Sequence, residues 1–153
     1  MSVSDSIQNI TLDHALRATW QSISKMYNEM AKPYGVTMAV GLTLLNLDPK
    51  NGISSTALGP MMGMESTSLS RLINNLEDLN LIERKQNPVD KRGVHIHLTS
   101  LGLEKRDLIK EHVLNFNQRV TSKLSAEDIK GYFKTIEMLE NVASEIKSTL
   151  NPE

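Results

Sequence analysis

Residues 81–102 read LIERKQNPVDKRGVHIHLTSLG. Two β-forming runs, Leu81–Lys85 and Val94–Leu98, flank a loop holding Asn87, Pro88, Asp90, Lys91, Arg92 and Gly93. Extended runs joined by Gly, Pro, Asn and Asp predict a hairpin. In the second run Val94, Ile96 and Leu98 alternate with His95 and His97, which is the period of a strand buried on one face. Arg84, Lys85, Lys91 and Arg92 give this hairpin four positive charges, with Asp90 beside its tip. A charged tip can simply be solvated, so its meaning depends on what precedes it.

Upstream, Leu69, Leu72, Ile73, Leu76 and Leu79 recur at helical spacing and predict a helix over 65–80 with that stripe inward. The same register turns Ser66, Thr67, Ser70, Arg71 and Asn74 outward, with Ser68 among them at the helix start. Short hydroxyls near a helix N-terminus let the backbone approach a groove floor and bond bases or phosphates. Arg71 can make a bidentate contact with guanine. In isolation these serines and threonines could equally be caps and Arg71 a solvated cation. A polar helix followed at once by a basic hairpin favours the DNA reading.

Working outward, Leu12, Leu16, Trp20, Ile23, Tyr27, Met30 and Tyr34 form one stripe of a long first helix, ended by Pro33 and Gly35. Thr37 caps a second helix near 38–47, and Asp48-Pro49-Lys50-Asn51-Gly52 is a loop by composition. Ile53 fits a short strand. Ser54 or Ser55 caps a short third helix ending at Gly63, and both hydroxyls are candidate DNA contacts. Helix, tight turn with glycine, helix is the helix-turn-helix pattern. After the hairpin, Thr99 caps a fifth helix running towards Leu124. Ser125 with Asp128 forms a capping-box start for a sixth, striped by Ile129, Phe133, Ile136, Leu139, Ala143, Ile146 and Leu150. The expected fold is mainly α with a small β-hairpin wing. The winged helix-turn-helix occupies 37–98, and helices at 10–34 and 99–150 serve dimerisation within a single unit. Apolar stripes this long call for a partner. A homodimer built on Leu12, Leu16, Ile136, Leu139 and Ile146 is the economical answer.

The chain has 153 residues, 39% of them apolar, and a formal net charge of −1. Attraction for nucleic acid must therefore come from a local basic patch. No cysteine is present, which removes disulfides, thiolate metal sites and cysteine redox sensing. An aromatic content of 4% argues against a surface that stacks single-stranded bases. No apolar run approaches a membrane span, and residues 1–10 do not have the form of a signal peptide. A cytoplasmic location without membrane attachment is expected. No Ser-His-Asp spacing, glycine-rich phosphate loop or metal constellation suggests an enzyme, and no cofactor is expected. His95 and His97 share a strand face, a spacing that can suit a metal, but no third ligand accompanies them.

The pattern as a whole resembles the MarR family of bacterial regulators. The resemblance covers essentially the whole chain and is densest over SRLINNLEDLNLIERKQNPVDKRGVHIHLTSLG at 70–102 with Leu69 before it. Arg71-Leu72, Leu76-Glu77, Leu81-Ile82-Glu83-Arg84, Asp90-Lys91-Arg92 and Leu98-Thr99-Ser100-Leu101-Gly102 fall where that family has its signature. The resemblance implies a homodimeric winged helix binding a pseudo-palindromic operator in double-stranded DNA. The fourth helix would enter the major groove and Arg92 the minor groove. It also implies a small-molecule effector between the dimerisation and DNA-binding parts, with Arg17, Trp20, Met38, Leu42 and Met61 as candidate lining residues. A winged helix serving only protein interaction is the alternative, and it would need no basic tip. Two departures stand out. Gly59-Pro60 falls inside the third helix and could shorten or kink it, and Asn80 replaces a frequent glycine, which a left-handed residue position tolerates.

Overall fold

A computed structural model describes residues 11–86 and 93–150. Among these, helices α1 (Leu12–Ala31), α2 (Met38–Asn46), α3 (Ser55–Met62), α4 (Ser66–Asp78), α5 (Ser100–Thr121) and α6 (Ala126–Leu150) accompany strands β1 (Ile53–Ser54), β2 (Ile82–Gln86) and β3 (Val94–Leu98). The strands form one antiparallel sheet in the order β1-β3-β2. Ile53 pairs with Ile96, and the β2–β3 register runs from Ile82 opposite Leu98 to Gln86 opposite Val94. The expected mainly helical fold with a small hairpin wing is therefore the fold found, with Ile53 and Ser54 adding a third strand.

The described residues divide into two compact units, one within 22–113 and one that joins 11–21 to 114–150. The core of the first unit is Val36, Val40, Leu44, Leu47, Leu58, Leu69, Leu72, Ile73, Leu76, Leu81, Ile82 and Ile96. Burial of such side chains contributes about 1.5–3 kcal/mol each before the entropy of ordering them is subtracted. Thr43 is fully buried among them, and its hydroxyl is matched by donating to the Ala39 carbonyl at 2.8 Å.

Local chemistry sets the boundaries. The α-helical part of the first stripe ends at Ala31, and Lys32–Tyr34 tighten into a 3₁₀ turn closed by left-handed Gly35. The sequence pattern had carried one helix through to Tyr34. Pro33 cannot donate to an α-helical bond, and the shorter i+3 pattern accommodates it. Tyr34 then meets His112 of α5, with hydroxyl and Nε2 3.1 Å apart. Thr37 caps α2, accepting from the Val40 amide at 3.3 Å. Asp48 accepts from the Lys50 and Asn51 amides at 2.7 and 2.8 Å. These bonds hold its exposed carboxyl below the usual carboxylate range.

In the second unit, Ser125 and Asp128 form the expected capping box. The Asp128 amide donates to Ser125 Oγ at 3.1 Å, and Asp128 Oδ2 accepts from the Ser125 hydroxyl and amide at 2.6 and 2.9 Å. Along α6, Phe133 and Ile146 are 64% and 55% exposed, while Ile136 and Leu139 are half-buried. Leu12 and Leu16 of α1 are exposed as well. An open cleft of about 420 Å³ lies here, lined by Leu12, Lys134, Thr135, Met138, Leu139 and Val142.

Candidate nucleic-acid interface

Helix α4 has two faces of opposite character. Leu69, Leu72, Ile73 and Leu76 are buried, whereas Ser66, Thr67, Ser68, Ser70, Arg71 and Asn74 are all exposed. The helix begins at Ser66 rather than Glu65. Glu65 takes the N-cap position without a side-chain bond, so the hydroxyls at 66–68 are not spent on capping. Ser70 does turn its hydroxyl inward, donating to the Ser66 carbonyl at 2.8 Å. From Ser66 to Asn75 the helix holds one charged residue, Arg71. It thus presents a cation and small donors with no carboxylate among them.

The approach of α3 to α4 rests on Gly59. A Cβ there would sit 3.3 Å from Leu69 Cδ2, so the hydrogen at that position lets Leu69 pack directly on the α3 backbone. Pro60 follows on the exposed side, and α3 continues two residues past it before left-handed Gly63 stops it. The Gly63 and Met64 amides return to the Pro60 and Gly59 carbonyls at 3.2 and 3.1 Å, closing the tight turn of the helix-turn-helix. The helix is short, at eight residues. Ser54 caps it by accepting from the Ala57 amide at 3.2 Å, which commits one lone pair of that hydroxyl to the fold. Ser55 is half-buried.

The far end of α4 fixes where the wing starts. Asn80 adopts a left-handed φ of 55°. Its amide bonds the Glu77 carbonyl at 2.8 Å, and the Leu81 amide bonds the Leu76 carbonyl at 2.9 Å. This pair of bonds is the Schellman arrangement, with Leu76 and Leu81 both buried as its apolar clasp. The turn also leaves Leu79 38% exposed, where helical periodicity had placed it inward. The helix stops at Asp78, so the stripe no longer governs the next residue.

The sheet joins α5 through Thr99 and Gly102. Thr99 accepts from the Gly102 amide at 3.0 Å and donates to the Asn80 carbonyl at 2.7 Å, while its own amide donates to the Leu81 carbonyl at 3.1 Å. A Cβ on Gly102 would fall 1.9 Å from that same Leu81 oxygen. Thr99 and Gly102 together hold the wing root against the end of α4.

Of the charged residues of the wing, Arg84 and Lys85 lie in β2, whereas Asp90, Lys91 and Arg92 fall outside the described residues. Arg84 donates through Nη2 to Asn74 Oδ1, and its Nε lies 3.4 Å from Glu77 Oε2. Lys85 pairs with Glu83 at 2.7 Å. Glu77 was not singled out in the sequence as part of this surface, and its seven-residue separation from Arg84 spans a turn that local periodicity does not report. His95 and His97 are half-buried neighbours with ring centroids 6.2 Å apart. Among the described residues no cluster of three metal-binding side chains occurs, and no helix is long and apolar enough to cross a membrane. Of the candidate effector residues, Met38, Leu42 and Met61 belong to the unit of 22–113, with Leu42 and Met61 exposed, whereas Arg17 and Trp20 are exposed in the other unit.

The model of the MarR family matches residues 36–94, the segment that holds α2, α3, α4, β2 and the start of β3. A Thauera aromatica protein named for transcriptional regulation of an hcr operon is 30% identical over 91 residues, spanning 60% of this chain and 55% of that protein. The HTH-type transcriptional regulator MgrA of Staphylococcus aureus is 26% identical over 113 residues, covering 72% of this chain and 74% of MgrA. The crystal structure of the S. aureus MepR–DNA complex shares the fold with a TM-score of 0.72 at 20% identity, over 92% of this chain and 99% of MepR. Residues 36–94 are thus similar to the winged helix of the MarR family of transcriptional regulators, and the fold is the one that MarR-family structures have.

Proposed function

We propose that this protein is a cytoplasmic transcriptional regulator, acting as a repressor, that binds a pseudo-palindromic operator in double-stranded DNA as a homodimer. The observation that carries the reading is the outer face of α4 from Ser66 to Asn75, which holds no acid and on which Ser66, Thr67, Arg71 and Asn74 stand exposed above a buried leucine-rich face. A helix of this kind fits the major groove, with Arg71 able to bond guanine O6 and N7 together. Lys91 and Arg92 would add the wing contact, Arg92 entering a narrowed minor groove with Asp90 orienting a neighbouring arginine. Exposed apolar side chains at Leu12, Leu16 and Ile146, beside half-buried Ile136 and Leu139, support pairing of two chains through α1 and α6. A small-molecule effector would release the DNA. A purely protein-binding winged helix would favour apolar residues on the exposed face of α4, and that face is polar.

Selection of bound fragments from random duplexes is the direct test. It should return a two-fold symmetric motif with half-sites about one helical turn, roughly 10 bp, apart. On that motif Arg71→Ala should cost about 1–3 kcal/mol in binding free energy and flatten the preference at one base pair per half-site. Equal losses on specific and random DNA would reduce Arg71 to a phosphate contact. Recovery of no motif in low salt would refute the function.

A further inference from the structure

We infer that Arg84 is a positioning residue rather than a DNA contact: it turns the Asn74 amide so that Asn74 meets the hydrogen-bond acceptor edge of a base pair. The inference rests on the DNA-binding reading above and names the chemistry of one of its contacts. Arg84 stands on β2, and both of its partners, Asn74 and Glu77, stand on the last turns of α4. A guanidinium has five N–H donors and no acceptor. Whichever way the Asn74 amide might otherwise lie, only its oxygen can satisfy Arg84. The amide NH₂ is therefore turned away from the strand, on an exposed helix position in register with Ser70 and Arg71.

That orientation has consequences for what can be read. Asparagine recognises adenine by using its oxygen and its nitrogen together, accepting from N6 and donating to N7. With Oδ1 held by Arg84, Asn74 is left as a donor. Its complements in the major groove are guanine O6 and N7 or thymine O4, while adenine offers it N7 alone without the paired N6 contact. Glu77 completes the device by holding Arg84 Nε, so the guanidinium is fixed from two points of α4 and cannot swing out to a phosphate without breaking both contacts. Arg84 and Glu77 are each about 40% exposed, being 40% and 42%, so the pair acts through geometry more than through stability.

The experiment measures affinity for the selected operator, and for variants at each base pair, across a series of salt concentrations. The proteins are wild type, Arg84→Met, Arg84→Lys, Asn74→Asp and Glu77→Gln, with urea midpoints confirming that each is folded. Arg84→Met should weaken binding by roughly five- to tenfold, keep the slope of log K against log salt unchanged, and shift the preference at one base pair towards adenine. Arg84→Lys, which keeps a donor facing Asn74, should restore most of the base preference. Asn74→Asp keeps the Arg84 bond but exchanges outward donors for an acceptor, and should move the same position towards cytosine. A slope reduced by about 0.9 in Arg84→Met would mean that Arg84 neutralises a phosphate and would overturn the inference. An unchanged base preference in both Arg84→Met and Asn74→Asp would overturn it too. Failure of the wild type to select any motif would instead overturn the parent reading.

Discussion

Replacing Gly102 by alanine sets two physical effects of opposite sign against each other. Gly102 lies in the first turn of α5, where helix propensity alone favours alanine by about 1 kcal/mol. The surroundings oppose it, because the added Cβ would lie 1.9 Å from the Leu81 carbonyl oxygen. The two backbones must separate by more than roughly 1 Å to reach van der Waals contact. Leu81 cannot yield alone, since that oxygen accepts from the Thr99 amide and the Leu81 amide closes the end of α4. Forced repacking of this kind costs about 1–3 kcal/mol, and loss of one strained hydrogen bond adds about 1 kcal/mol. Set against the propensity gain, the net destabilisation is about 1–3 kcal/mol. For a chain of this size that lowers Tm by roughly 2–10 °C. Urea and thermal unfolding of the full chain at one fixed protomer concentration measure it, since association would otherwise shift the midpoint. An unchanged or raised midpoint would show that α5 moves away freely, and the account of the wing root would fail.

Two further outcomes follow from the caps. Asn80 has a left-handed φ of 55°, so Asn80→Gly should leave the urea midpoint nearly unchanged while Asn80→Val should cost about 1–2 kcal/mol; equal effects would contradict the turn geometry. Asp128 has its pKa lowered chiefly by the Ser125 hydroxyl and then by the Ser125 amide. Its contribution is therefore fully present above the unfolded carboxylate value of about 4 and disappears as pH falls through the lower folded value. The stability of wild type relative to Asp128→Asn should be greater at pH 7 and converge in strong acid, and a difference that persists there would exclude the carboxylate as its source.

What the sequence made legible were features whose partners lie within a few residues. The Thr37, Thr99 and Ser125-Asp128 caps, the stripe from Leu69 to Leu76 and the alternation around Ile96 each depend on local spacing, and each is found in place. Leu79 shows where that logic stops, because a periodic stripe does not report that the Asn80 turn has already begun. Arg84 was legible as a cation and as a candidate DNA contact. Its pairing with Asn74 and Glu77 needs β2 to fold back beside α4, which no local pattern encodes. Gly102 could be seen as part of a family signature, but the reason for it, the approach of the Leu81 carbonyl, comes from the turn between α4 and β2.

Magnitudes separate what holds α4 in place from what aims it. Four buried side chains, Leu69, Leu72, Ile73 and Leu76, each contribute about 1.5–3 kcal/mol of burial. An ion pair as exposed as Arg84–Glu77 contributes at most about 1 kcal/mol. The apolar face therefore anchors the helix, and losing the pair should leave the fold intact. Apolar contacts are non-directional, however, and say little about how an exposed amide is turned. Orientation has to come from directional bonds at the margin of the core, and Arg84 supplies them between α4 and the strand that leads to the wing tip. Stability thus rests on the apolar face of α4 while the bond that turns the Asn74 amide comes from Arg84 on β2, so on the proposed reading a variant at Arg84 should change which base is preferred and leave the fold intact.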